Sequence, residues 1–277
     1  MFVGLVYLPF FKTLLVASDE KYAGHVIFVP FVAAALFWLE RDRIRRRDEH
    51  STRTLAVLLL GLALFSLGIG YWTNAVALQA ISLILLAAGS LMWLYGPRGV
   101  RASSFVLAYL LFMIPPPHRL IAEMAAHLQD VVAAVSAPAV RALQIPVERQ
   151  GIFLQLPGIT LEVTEGCAGV RFLLILFVLG TAFARASMPT TSGQVFLMFV
   201  SIPIAMFANT LRVVTITAGS HIVGPHVATG PLHYYIGKGC WVLAFIAFIA
   251  VAAVLRSRLV EGVPFDRTTN SQTAGAY

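Results

Sequence analysis

Charge is what this sequence has least of. Asp, Glu, Lys and Arg make up 12% of its 277 residues, against roughly 25% in an ordinary soluble domain. Acidic residues are the scarcer kind, 13 against 20 basic ones. Cysteine occurs only at Cys167 and Cys240, too few for a disulfide framework. There is no internal repeat of the sort that pairs the halves of a transporter. Nor is there a basic stripe interleaved with aromatics, so nucleic acid is not a partner. These absences exclude a soluble enzyme, a disordered tail and a secreted disulfide scaffold. What is present instead is apolar: 58% hydrophobic residues and a mean hydropathy of +0.82, more than a soluble core of this size hides. The chain reads as an all-α integral membrane protein whose first partner is the lipid bilayer.

A membrane crossing takes about 20 mostly apolar residues. About eight segments qualify: 2–17, 22–39, 54–71, 75–95, 102–114, 167–184, 194–219 and 233–255. The first is short and interrupted by Lys12. No small-residue cleavage site follows it, only Ser18-Asp19-Glu20-Lys21, which argues against a signal peptide. The 17 arginines then set the orientation. Arg41, Arg43, Arg45, Arg46, Arg47, Arg53, Arg98, Arg101, Arg185, Arg256, Arg258 and Arg267 fall on one side if eight spans alternate. The compact Arg-rich loops mark that side as cytoplasmic, with both termini on it. The expected organisation is one polytopic domain over 1–259 and a flexible cytoplasmic tail over 260–277.

One long segment, 115–166, leaves the membrane on the outer side. Pro115-Pro116-Pro117 ends the fifth span because proline removes donors and restricts its neighbour. Leu120, Ile121, Met124, Leu128, Val131, Val132 and Val135 recur at helical spacing with Arg119, Glu123, Gln129 and Asp130 between them. That pattern suits an amphipathic helix on the outer membrane face. Residues 151–165 alternate apolar and polar around Pro157-Gly158 and read as a short β-hairpin.

Ionisable groups within spans are costly, so their positions carry information. Cys167 opens the sixth span and His233 the eighth, while Arg212 lies about 27 Å along the seventh at 1.5 Å per residue. A thiol, a guanidinium and an imidazole thus reach one depth from three helices. A helix N-terminus and nearby cations favour the thiolate, which is the nucleophile. His233 has the chemistry to take the thiol proton and return it to a leaving amine, and Arg212 that to hold an oxyanion. Arg171, four residues after Cys167, falls one helical turn below it, and Glu165 suits either Arg or the His as a partner. The plainer readings are a packed Cys, a snorkelling Arg and a capping His. Cys240 is seven residues past His233, about 10 Å deeper, and reads as packing. His221, His226 and His233 match no zinc spacing, and neither a metal nor a cofactor is expected.

These residues resemble a known family. The run Leu110-Leu111-Phe112-Met113-Ile114-Pro115-Pro116-Pro117, then Glu165-Gly166-Cys167-Ala168-Gly169-Val170-Arg171, then Ile202-Pro203-Ile204-Ala205 with Asn209-Thr210-Leu211-Arg212, then His233, is similar to the exosortase/archaeosortase pattern. The resemblance covers about 20–255. It implies a multi-spanning cysteine peptidase or transpeptidase of the bacterial cytoplasmic (inner) membrane, working at the outer face without a cofactor. Its implied substrates carry a C-terminal sorting signal: a motif such as Pro-Glu-Pro, a transmembrane helix and a basic tail. They are commonly tied to exopolysaccharide. The family's catalytic Cys, Arg and His fall on Cys167, Arg212 and His233, and its supporting positions on Glu165, Gly169, Arg171 and Asn209. Two departures stand out: Ala168 replaces a frequent Ser, and Ala23-Gly24-His25 replaces a Ser-His-Gly segment. The competing expectation is a non-enzymatic membrane component or transporter in exopolysaccharide export. The oligomeric state is not legible in the sequence.

Overall fold

A computed structural model describes residues 2–18, 24–44 and 53–261. The expectations for Arg45, Arg46 and Arg47 and for the tail beyond Glu261 lie outside these residues. The chain is mostly helical, with α1 (Phe2–Ser18), α2 (Val29–Ile44), α3 (Arg53–Trp72), α4 (Val76–Ala102) and α5 (Ser104–Tyr109), which continues into a 3₁₀ turn at Leu110–Met113. After α6 (His118–Ala142) come β1 (Glu148–Gln150), β2 (Phe153–Leu156) and β3 (Ile159–Glu162). A second 3₁₀ turn, Glu165–Cys167, precedes α7 (Val170–Ser187), α8 (Thr191–Ile222), α9 (His226–Thr229) and α10 (Pro231–Glu261).

Among the described residues six helices have the length and apolarity of a crossing: α3, α4, α6, α8, α10, and α7 together with the turn before it. That set differs from the eight spans expected. α1 and α2 have 17 and 16 residues, and the fifth segment is an apolar piece over Ser104–Met113. The helix expected on the outer surface, α6, is among the six. α4 runs past the expected end at 95 because Gly96, at φ 71°, and Pro97 kink the helix without ending it. Large apolar side chains such as Leu58, Phe65, Phe207 and Leu243 face outward, which suits lipid and not water. This is a multi-pass membrane protein.

The interior holds three main clusters. Phe10, Leu14, Val29, Tyr109 and Met113 join α1, α2 and α5. Leu176, Leu197, Ala205 and Phe248 join α7, α8 and α10. Between helices in lipid such contacts act through close packing and not through release of water. The third cluster is set by the sheet. Strand order is β1-β2-β3, antiparallel throughout. Leu154 and Leu156 point from β2 onto Val132, Ala137 and Val140 of α6 and Val213 of α8. Full burial of a side chain such as Leu154 contributes about 1.5–3 kcal/mol where the alternative is water.

The expected hairpin is present as β2 and β3, turning at Gly158. A third strand, β1, was not expected. It pairs with β2 because Gly151, at φ 60°, turns the chain back. Arg149 of β1 then forms an ion pair with Asp130 of α6. Gln129 Nε2 donates to the Val163 carbonyl at 2.9 Å. These bonds seat the sheet on α6 and lead the chain toward Cys167.

Candidate active site

After β3 the chain cannot enter α7 directly. The Cys167 amide donates back to the Thr164 carbonyl at 2.8 Å and the Ala168 amide to Glu165 at 3.2 Å, which closes the 3₁₀ turn. Gly169 then takes φ 85° before α7 begins at Val170. That left-handed conformation costs an ordinary L-residue about 1–2 kcal/mol. Space matters as much: a Cβ on Gly169 would lie 2.6 Å from Asn209 Cγ. Asn209, on α8, uses that closeness to donate from Nδ2 to the Cys167 carbonyl at 2.7 Å. Cys167 is therefore held through its backbone on both sides, with its residue 8% exposed.

Cys167 thus sits in the turn before the helix and not at a helix start. The expectation that Arg171 lies one helical turn below it fails for the same reason, since Ala168 and Gly169 are not α-helical. Arg171 is instead exposed at the second position of α7.

Arg212 lies three residues after Asn209 on α8, on the same helix face, and 21 residues from Thr191. Its residue is 8% exposed. Nη1 donates to the Gly166 carbonyl at 3.1 Å, and Nη2 lies 2.8 Å from His233 Nε2. The Phe172 ring lies 5.6 Å from the guanidinium. Because a guanidinium only donates, His233 Nε2 must present its lone pair, leaving the ring proton on Nδ1. The same Nε2 lies 3.9 Å from Cys167 Sγ. Nδ1 is buried without a hydrogen bond of good geometry among the described residues, and the Ala228 backbone faces the ring.

Two cavities meet at His233. One, about 140 Å³, is lined by Leu161, Thr164, Cys167, Thr217 and Ala228. The other, about 480 Å³, has Glu165, Arg171, Arg212, Lys238 and Trp241 in its wall. Glu165, Arg171 and Arg212 therefore line the larger cavity, Cys167 lines the smaller one, and His233 is common to both. Cys240 is buried and unbridged, lining a small void of about 10 Å³ with Asn209 and Arg212. Among the described residues no group of three His, Cys, Asp or Glu side chains is placed to hold a metal.

One contributor was missed. Gly237 lies one turn after His233 on α10, and a Cβ there would sit 3.2 Å from Arg212 Nε. It makes room for the guanidinium to reach the imidazole. The signal was present, since glycine inside an apolar helix marks close approach by a neighbour.

No curated protein and no solved structure matches the chain. A family model described as transmembrane exosortase matches residues 17–253 of the 277, a stretch that carries every residue of the site just described. The chain belongs to the transmembrane exosortase family.

Proposed function

We propose that the protein is a membrane-embedded cysteine peptidase or transpeptidase that cleaves C-terminal sorting signals of exported proteins. The observation that carries this reading is the trio itself. A thiol sulfur lies 3.9 Å and a guanidinium nitrogen 2.8 Å from one imidazole nitrogen, brought from three separate chain segments. Family membership supports the same chemistry.

In this mechanism His233 Nε2 takes the Cys167 proton and the thiolate attacks the scissile carbonyl. An imidazolium 2.8 Å from a guanidinium is repelled, so Arg212 leaves Nε2 as the proton arrives. It moves toward the oxyanion that forms at the same moment. A donor to that charge is worth up to about 2.7–4 kcal/mol in the transition state. Collapse of the intermediate breaks the C–N bond, His233 returns its proton to the leaving amine, and Cys167 keeps the acyl group as a thioester. Water then gives hydrolysis, or an acceptor amine gives transfer. Asn209 and Gly169 hold the nucleophile's backbone, while Glu165 and Arg171 shape the larger opening.

The membrane arrangement is part of the proposal: eight segments, both termini cytoplasmic, and the site at the outer face of the bacterial inner membrane. The ion pair between Arg149 and Asp130 and the open edges of the sheet support it. Neither is tolerated in hydrocarbon, so α6, which carries Asp130 midway, fits the membrane surface better than a crossing. A substrate helix anchored beside the site raises the effective concentration of the motif that precedes it.

The test is the gel mobility of a reporter ending in a sorting signal from the same genome, with wild-type protein and Cys167→Ala. A mobility shift that disappears in the mutant is expected; identical shifts would remove Cys167 from the mechanism. A second reading, a non-enzymatic component of exopolysaccharide export that binds an anion, draws on Arg171, Arg212 and Lys238 around the larger cavity. It requires Arg212→Ala to impair export while Cys167→Ala does not.

A further inference from the structure

The free edge of the sheet touches this site and has no role so far. β3 is an edge strand, paired only with β2. The Val163 amide donates to the Ile152 carbonyl at 2.9 Å. Val163 therefore turns its backbone toward β2, and by the two-residue alternation of a strand so do Leu161 and Ile159. Thr160 and Glu162 turn theirs away. The Glu162 carbonyl is taken by the Thr164 amide at 3.0 Å. The Thr160 amide, the Thr160 carbonyl and the Glu162 amide have no partner among the described residues.

This edge leads straight to the nucleophile, with Cys167 five residues after Glu162. A slot of about 140 Å³ lies between them, walled by Leu161, Glu162 and Thr164 on one side and by Ile216 and Thr217 of α8 on the other. Cys167 and His233 are part of the same lining. The slot suits one side chain of leucine or proline size, and is too small for a lipid chain or a helix.

Resting on the peptidase reading above, we propose that β3 receives the substrate as a fourth strand. The peptide backbone pairs with Thr160 and Glu162, one side chain enters the slot, and the scissile carbonyl is carried onto Cys167. Strand addition of this kind takes affinity from main-chain bonds and specificity from pockets for alternate side chains. A second copy of the protein is the poorer occupant. The edge is four residues long and carries the exposed Glu162, both of which oppose edge-to-edge association.

Thr160→Pro removes one outward amide and no bond of the ladder, so the sheet tolerates it. It is expected to slow processing of the sorting-signal reporter roughly 3–10-fold at limiting reporter, the worth of one hydrogen bond. Alkylation of Cys167 by iodoacetamide should proceed as in wild type. Wild-type processing by Thr160→Pro would overturn the proposal. If that variant loses alkylation as well, the fold has suffered and a second measurement decides. Thr160→Cys is combined with Cys167→Ala and cross-linked to reporters carrying single cysteines along the segment around the cleavage site. Cross-links at every second position are expected. Their absence, a pattern without alternation, or a product joining two copies of the protein would each overturn it. Should Cys167→Ala itself process the reporter, the peptidase reading falls. Should Cys167→Ala be inert while Thr160→Pro is normal, strand docking alone falls.

Discussion

Gly169→Ala is the substitution whose cost the structure defines most closely. Its φ of 85° charges an alanine about 1–2 kcal/mol. The new methyl would lie 2.6 Å from Asn209 Cγ and 2.8 Å from Nδ2, and overpacking of this kind costs about 1–3 kcal/mol. The sum is about 2–5 kcal/mol, relieved only by pushing Asn209 off the Cys167 carbonyl it holds at 2.7 Å. Asn209→Ala alone leaves that buried carbonyl unsatisfied, at about 1–3 kcal/mol. The double variant loses the hydrogen bond but also the two closest contacts, keeping only Asn209 Cβ at 3.0 Å. It should therefore fall short of the summed single losses by about 1–3 kcal/mol, the overpacking share. The assay is unfolding of the purified proteins in detergent, with reporter processing measured beside it. Losses that add to within about 0.5 kcal/mol, or a Gly169→Ala protein that processes the reporter like wild type, would refute the reasoning.

Arg212→Ala should slow processing about 10²–10³-fold, as loss of an oxyanion donor does. Arg212→Lys should stay at least about tenfold impaired, because a single ammonium does not hold the Gly166 carbonyl and His233 together; full activity in the lysine variant would end the two-point role. Gly237→Ala should impair processing mildly and Gly237→Val severely, both with normal membrane accumulation. The methyl meets Arg212 Nε at 3.2 Å and a larger side chain meets more of the guanidinium; equal activity of the two would show that the approach is not limiting. At the other end of the bundle Arg185 Nε donates to Glu40 Oε1 at 2.6 Å, joining α7 to α2. Glu40→Leu should cost about 1–3 kcal/mol in stability and Glu40→Leu with Arg185→Leu less, since Arg185 then keeps only Gln194 Oε1 at 3.4 Å and the Phe105 ring as partners; comparable melting temperatures for the two would contradict this.

The apolar helices were legible because a crossing segment is written locally. Lipid demands an apolar run of a certain length whatever the neighbours do, and the expected 54–71 and 194–219 lie within α3 and α8. The grouping of Cys167, Arg212 and His233 was legible for a related reason: ionisable side chains are rare in such runs, so a shared depth narrows where they meet. β1 was not legible. Glu148-Arg149-Gln150 is polar throughout, without the alternation that marks a strand, and becomes one only because Gly151 turns it onto β2. The relation of Arg171 to Cys167 failed on a single dihedral. Four residues make one turn only if the helix is continuous, and Gly169 breaks it for the sake of Asn209 on another helix.

That break explains why the candidate site lies where it does. A helix in a membrane satisfies its own backbone, so its interior offers a substrate nothing but side chains. Peptide chemistry needs donors beside the nucleophile, and free backbone donors exist only where a helix starts or stops. Around Cys167 a 3₁₀ turn, the left-handed Gly169 and the first turn of α7 follow one another within a few residues, leaving the first amides of α7 without intrahelical partners. Continuous helix supplies the other half: Asn209 and Arg212 hold fixed spacing on α8, and His233 and Gly237 do so on α10. The irregular segment bears the proposed nucleophile and the regular ones set its distances. For that reason Asn209 and Gly237, which hold the Cys167 backbone and make room for the Arg212 guanidinium, should affect processing without meeting the scissile bond.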